Sequence, residues 1–219
     1  KDFHVDGFIK DIQELLNKPG IKFSDYGDNM PAIPATSEPK EFPSHVLMDE
    51  NDFWKIIDES LESNKNQFDF LTEYLANCDL MQIIGFECRL RVLIMESYHY
   101  NVLALHKIIS DLISDDSFLY FRCNLILLGK TVFKLAIKNP ESFKEKLTLL
   151  STAEPLLAVP DEAFFKKLGR DTHQESPSAF ASQFLDYSTE TYNMCGDSWK
   201  VDDLGESYPK LWHRYRPIN

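Results

Sequence analysis

Apolar residues recur along this chain at the three-to-four-residue spacing of an α-helix, in one segment after another. Phe53, Trp54, Ile56, Ile57 and Leu61 form one stripe, behind Asp49 or Asn51 as a helix cap. Phe68, Leu71, Tyr74 and Leu75 mark a second helix near 65–77. Asp79 heads a long one carrying Ile83, Phe86, Leu90, Leu93 and Ile94. Residues 98–113 continue in register or open a new helix after a bend. Ser114 caps the next, which runs through Phe118, Phe121 and Arg122 toward Gly129. Asn139-Pro140-Glu141 reads as a restart, because proline at the first helical position gives up no helical hydrogen bond. Pro160-Asp161-Glu162 repeats that signal with Gly169 as its stop, and Ser176-Pro177 opens a short helix through Phe180 and Phe184. No apolar–polar alternation is long enough for a strand. The pattern predicts an all-α, multi-helix globular domain of about seven to nine helices.

The two ends read differently. Phe8, Ile12, Leu15 and Leu16 share a stripe over residues 7–18, with Asp6 as cap and Pro19-Gly20 as stop. Five of the 11 prolines then fall between 19 and 47, the composition of an extended connector. Residues 1–47 are thus expected to be an N-terminal helix with a proline-rich connector, and 48–215 a helical domain. Near the C-terminus a turn-rich Asn193–Asp197 precedes Trp199, Tyr208 and Trp212. Two tryptophans in a polar tail predict that the tail docks on the core.

Composition narrows the partners. The net charge is −12 over 219 residues, divided as −3 over residues 1–47, −5 over 48–150 and −4 over 151–219. Binding a phosphate backbone needs clustered Lys and Arg, so nucleic acid is excluded as an expectation. Even acidity serves solubility, and it also suits a basic protein partner. The four cysteines have no metal-knuckle spacing, and Cys78, Cys88 and Cys123 sit in apolar or helical contexts. They read as free thiols in a reducing, cytoplasmic compartment. Residues 1–16 lack the order of a signal peptide, and no run reaches the ~18 apolar residues of a membrane span.

The richest stretch chemically is Ser114-Asp115-Asp116-Ser117-Phe118-Leu119-Tyr120-Phe121-Arg122. Adjacent carboxylates can draw a hard cation, yet Asp115 and Asp116 point in different directions on a helix and suit its positive N-terminal end. Arg122 lies on an apolar face with Phe118, Phe121 and Leu125. A carboxylate from Asp115, Asp116 or Glu96 is its expected partner, and anion binding its functional alternative. Glu96, His99 and His106 make a poor metal constellation, since seven residues separate the histidines. No phosphate loop, dinucleotide fingerprint or nucleophile elbow occurs. No residue is assigned a catalytic or metal-ligating role, and no cofactor is expected.

Met48-Asp49-Glu50-Asn51-Asp52-Phe53-Trp54-Lys55-Ile56-Ile57, the Ser114–Arg122 block and Leu125–Lys130 together resemble the bacterial family called domain of unknown function 4240. The tail from Gly196 through Trp199 and Asp202-Asp203-Leu204 to Trp212 resembles that family's C-terminal end, so the resemblance spans about 48–215. Asn124 stands where the family usually has a tryptophan. The resemblance implies a small, helical, cytoplasmic bacterial protein and no known activity. Residues singled out for structure or function are Phe53, Trp54, Ser114, Asp115, Asp116, Phe121, Arg122, Trp199 and Trp212. The functional expectation is a non-enzymatic protein-interaction module, in its most specific form a toxin-neutralising (immunity) protein. The alternative is a hydrolase or transferase with an acidic site around Asp115, Asp116 and Arg122.

Overall fold

Side-chain caps begin several helices of the main domain. In the computed structural model, residues 44–110, 113–145, 150–169, 176–187 and 193–216 are described. The helix and connector expected before residue 44 lie outside them. Asp49 accepts from the amides of Asn51 and Asp52 and starts α1 (Glu50–Glu62). Asn66 does the same for α2 (Gln67–Asn77). Asp79 and Gln82 form a capping box at the head of α3 (Leu80–Glu96). The chain then runs through α4 (Tyr100–Ile109), α5 (Asp115–Leu127), α6 (Lys130–Lys138), α7 (Val159–Leu168), α8 (Pro177–Ala181), α9 (Leu204–Ser207) and α10 (Pro209–Tyr215). The fold is all-α: among the described residues there are ten α-helices, several short 3₁₀ turns and no strand.

Helix α3 is the hub. It packs against α1, α2, α5, α7 and α8. Ten of its residues are buried, from Ile83 to Ile94, on every face. A helix enclosed on all sides belongs at the centre of a core. Phe86 stacks on Phe53 of α1 at 4.6 Å, and Trp54 meets Phe133 of α6 at 5.3 Å. Gly85 is the close-approach point: a Cβ there would stand 2.7 Å from the carbonyl oxygen of Val46. The 44–48 segment can therefore lie flat on α3, where the Met48 amide donates to the Gly85 carbonyl and Arg89 Nε to the Met48 carbonyl. Gly129, at φ +89°, breaks the line between α5 and α6 in a conformation that costs other residues strain.

After α3 the chain bends and opens a new helix, one of the two alternatives the pattern leaves, because His99 turns extended to pair with the tail: the Tyr100 amide donates to the Cys195 carbonyl, and the Cys195 amide to that of Tyr98. Two places depart from the sequence pattern. Asn139-Pro140-Glu141 starts only one 3₁₀ turn, Pro140–Ser142, since Phe143 turns extended and is fully buried. The helix count exceeds seven to nine because the C-terminal residues form α9 and α10, too short to show periodicity. Contacts from that region are specific. Trp199 Nε1 donates to the Tyr100 carbonyl at 2.8 Å, and Tyr208 Oη to Asn101 Oδ1 at 2.9 Å. Glu141 accepts from the Lys210 and Leu211 amides, which caps α10. No described helix is long and apolar enough to cross a membrane.

Candidate functional site

The Ser114 block resolves into a helix start and a buried end. Ser114 Oγ accepts from the Ser117 amide, and Ser117 Oγ from the Ser114 amide, a reciprocal capping box. Asp115 and Asp116 are exposed in the first turn of α5, where they complement the helix dipole. Two turns on, Arg122 is only 1% exposed. Its Nη1 donates to the Ile94 carbonyl at 3.0 Å and its Nε to that of Phe118 at 3.4 Å. Its guanidinium lies 4.9 Å from the Phe118 ring centre and 5.3 Å from that of Tyr98. Arg122 is thus buried as expected, but among carbonyls and ring faces. No carboxylate forms an ion pair with it among the described residues, and burial pulls its pKa down. Glu96, one expected partner, instead meets Lys134 at 2.8 Å. Carbonyl dipoles and aromatic quadrupoles substitute for the missing anion.

The other singled-out residues lie in separate places. Phe53 and Trp54 belong to the core, with the Trp54 indole N–H donating to Glu50 at 3.1 Å. Phe121 stacks on His106 at 4.6 Å. Trp199 and Trp212 lie along the C-terminal segment, Trp212 packing over Gly205 and under Arg216. The two histidines differ in kind. His99 Nδ1 accepts from the Asn101 amide and caps α4, and its ring is pressed against Gly196. His106 is fully buried between Phe118 and Phe121, neither ring nitrogen has a hydrogen-bond partner among the described residues, and burial lowers its pKa to about 4. Among the described residues no three His, Cys, Asp or Glu side chains are grouped to hold a metal ion.

Two features were not visible in the helical stripes. The first is a buried ion pair on α3, Glu87 Oε1 with Arg91 Nε at 2.5 Å. Arg91 also donates to the Leu185 carbonyl at 3.0 Å and that of Ser178 at 3.4 Å, and lies 4.7 Å from the Tyr187 ring centre. It ties the 176–187 segment to the hub. Burial raises the Glu87 pKa, while Arg91 opposes that rise. The i,i+4 spacing was the available signal, but on a helix it reads first as a surface pair.

The second is a cleft of about 440 Å³ between the 45–49 segment, α1, α2 and the start of α3. Val46, Met48, Ile56, Tyr74, Cys78 and Met81 supply apolar wall, and Asp49, Asp52 and Asp79 supply carboxylates. Burial and the nearby Glu59 and Asp52 carboxylates raise the Tyr74 pKa, so its phenol stays neutral. The cleft's position follows from the close approach at Gly85, because the strap of residues 46–48 forms one wall.

A family model described as "Protein of unknown function (DUF4240)" matches residues 48–166. The chain belongs to this family. The DUF4240 match begins at the strap residue Met48 and ends within α7, so it takes in the hub, the Ser114 block and most of the cleft wall. The 196–212 tail, which was expected to share the resemblance, lies beyond the match. No curated protein and no solved structure matches the chain.

Proposed function

We propose that this DUF4240 protein works by binding another protein, a basic one, through the acidic outer surface of α1, α2 and the head of α3. The observation that carries the reading is the state of six exposed carboxylates there. Asp49, Asp52, Asp58, Glu62, Asp69 and Asp79 are all exposed, and none forms an ion pair among the described residues. Leu61, next to Glu62 on α1, stands open at 46% exposure. Carboxylates with an exposed apolar side chain beside them suit a partner surface of opposite charge, with steering from a distance and apolar contact on arrival. Arg122, the one fully buried cation of the Ser114 block, faces inward, and Asp115 and Asp116 are not joined to it by any hydrogen bond or ion pair among the described residues. The most specific form of the reading is an immunity-type protein that covers a basic toxin.

Low-salt affinity capture from the source cell, with wild type beside an Asp58→Lys/Glu62→Lys variant, tests it. Wild type should hold a basic protein that the reversed variant does not. Capture of no protein by wild type, or equal capture by both, would overturn the reading.

A further inference from the structure

The cleft beside Gly85 has a shape and charge that name a ligand class. Its walls are aliphatic and thioether surface from Val46, Met48, Ile56 and Met81, with the Tyr74 ring beside them. Its charged lining is Asp49, Asp52 and Asp79 against Lys55 alone, and Lys55 leans toward Glu59 at 3.9 Å. Asp49 and Asp79 each use Oδ1 to cap a helix, and no hydrogen bond is made to the Oδ2 of either among the described residues. Asp52 caps nothing and forms no ion pair among the described residues. A site of this kind favours a cation on an alkyl stem. The stem covers apolar wall while the head stays with carboxylates at the wet end, as long basic side chains do on protein surfaces. A volume of about 440 Å³ holds such a side chain together with part of the backbone that bears it.

We infer that this cleft is the receiving pocket for a lysine side chain of the basic partner. The inference rests on the proposed interaction reading and deepens it, since it places one anchor within the acidic surface. A buried anchor in a pocket, ringed by weaker contacts, is how binding energy concentrates at protein interfaces. Two walls come from elements fixed by their own bonds, the strap through Met48–Gly85 and Arg89–Met48 and the helix heads through their caps. The pocket is therefore preformed.

The test uses the full chain with ¹³C-methyl methionine and two peptides, Ac-Gly-Lys-Gly-NH₂ and Ac-Gly-Nle-Gly-NH₂. Norleucine keeps the stem and removes the charge. Met48 and Met81 line the cleft, and Met95 lies 14 residues along α3 from Met81, roughly 21 Å away. The lysine peptide should shift the Met48 and Met81 methyl signals, leave Met95 and Met194 in place, and bind about fivefold more tightly than the norleucine peptide. Asp52→Asn should remove most of that preference and leave the norleucine peptide's binding unchanged. Its unshifted Met95 and Met194 signals would show that the variant is folded. Equal binding of the two peptides, shifts spread over all methionines, or an unaltered preference in Asp52→Asn would overturn the inference. The two readings fail separately. If Asp52→Asn captures the basic protein as well as wild type does, the pocket falls while the acidic surface stands. If no protein is captured, the acidic-surface reading falls, whatever the peptides do.

Discussion

Acidification from pH 7 to pH 5 should weaken the fold by about 2 kcal/mol through His106 alone. Its ring is fully buried, stacked on Phe121 at 4.6 Å and Phe118 at 5.9 Å, and neither nitrogen has a hydrogen-bond partner among the described residues. Burial first, and then the Lys107 charge, push its pKa from 6.5 down to about 4. The folded state therefore resists a proton that the unfolded chain accepts. Stability from this group is complete above the unfolded pKa and declines as pH falls from 6.5 toward 4. Each unit in that window is worth about 1.4 kcal/mol, which gives about 2 kcal/mol by pH 5. Glu50, held below its ordinary pKa, adds acid sensitivity of its own, whereas Glu87, held above, acts in the opposite direction. A His106→Leu variant cancels both, because it removes only the histidine. Urea melts of wild type and variant at pH 7 and pH 5 supply the comparison. Wild type should lose about 2 kcal/mol more than the variant on acidification. Equal losses, or a His106 ring signal that titrates near 6.5 in the folded protein, would refute the reasoning.

Five further substitutions probe the polar groups of the core and the helix start. Arg91→Met should cost about 3–5 kcal/mol in urea melts, because it leaves the Glu87 carboxylate buried and unpaired, and Glu87→Leu in the same chain should recover most of the loss. Arg122→Met should stay within about 1 kcal/mol of wild type, since no ionised partner is stranded, while Arg122→Ala should cost about 2–5 kcal/mol for the cavity it opens. Thermal melts of Ser114→Ala should show a loss of about 0.5–2 kcal/mol from the broken capping box.

Much of the domain was legible because its signals are local. Asp49, Asp79 and Ser114 announce helix starts by chemistry that acts within three residues, and each caps as the pattern predicts. Gly169 stops α7 in the left-handed conformation for the same reason. What the pattern left open or misplaced depends on contacts distant in sequence. The bend at His99, left open, is fixed by its pairing with Cys195, and Phe143 ends a helix by turning into the core. Arg122 was correctly placed inside, but its partners proved to be a carbonyl 28 residues away and two ring faces, which no spacing rule specifies. The Glu87–Arg91 pair stayed hidden because a stripe assigns polar positions to solvent, and α3 has no solvent face over those residues. The cleft depends on a strap lying on Gly85, a close approach that a lone glycine in a helix does not disclose.

The central claim is that the acidic surface of α1, α2 and the head of α3 recognises a basic protein. Its most direct measurement is the affinity of the captured partner at low and high salt, for wild type and for Asp58→Lys/Glu62→Lys. Affinity should fall at least about tenfold between 50 and 300 mM NaCl, mainly through a slower association rate, and the reversed variant should lose this salt dependence. An affinity indifferent to both salt and charge reversal would contradict it.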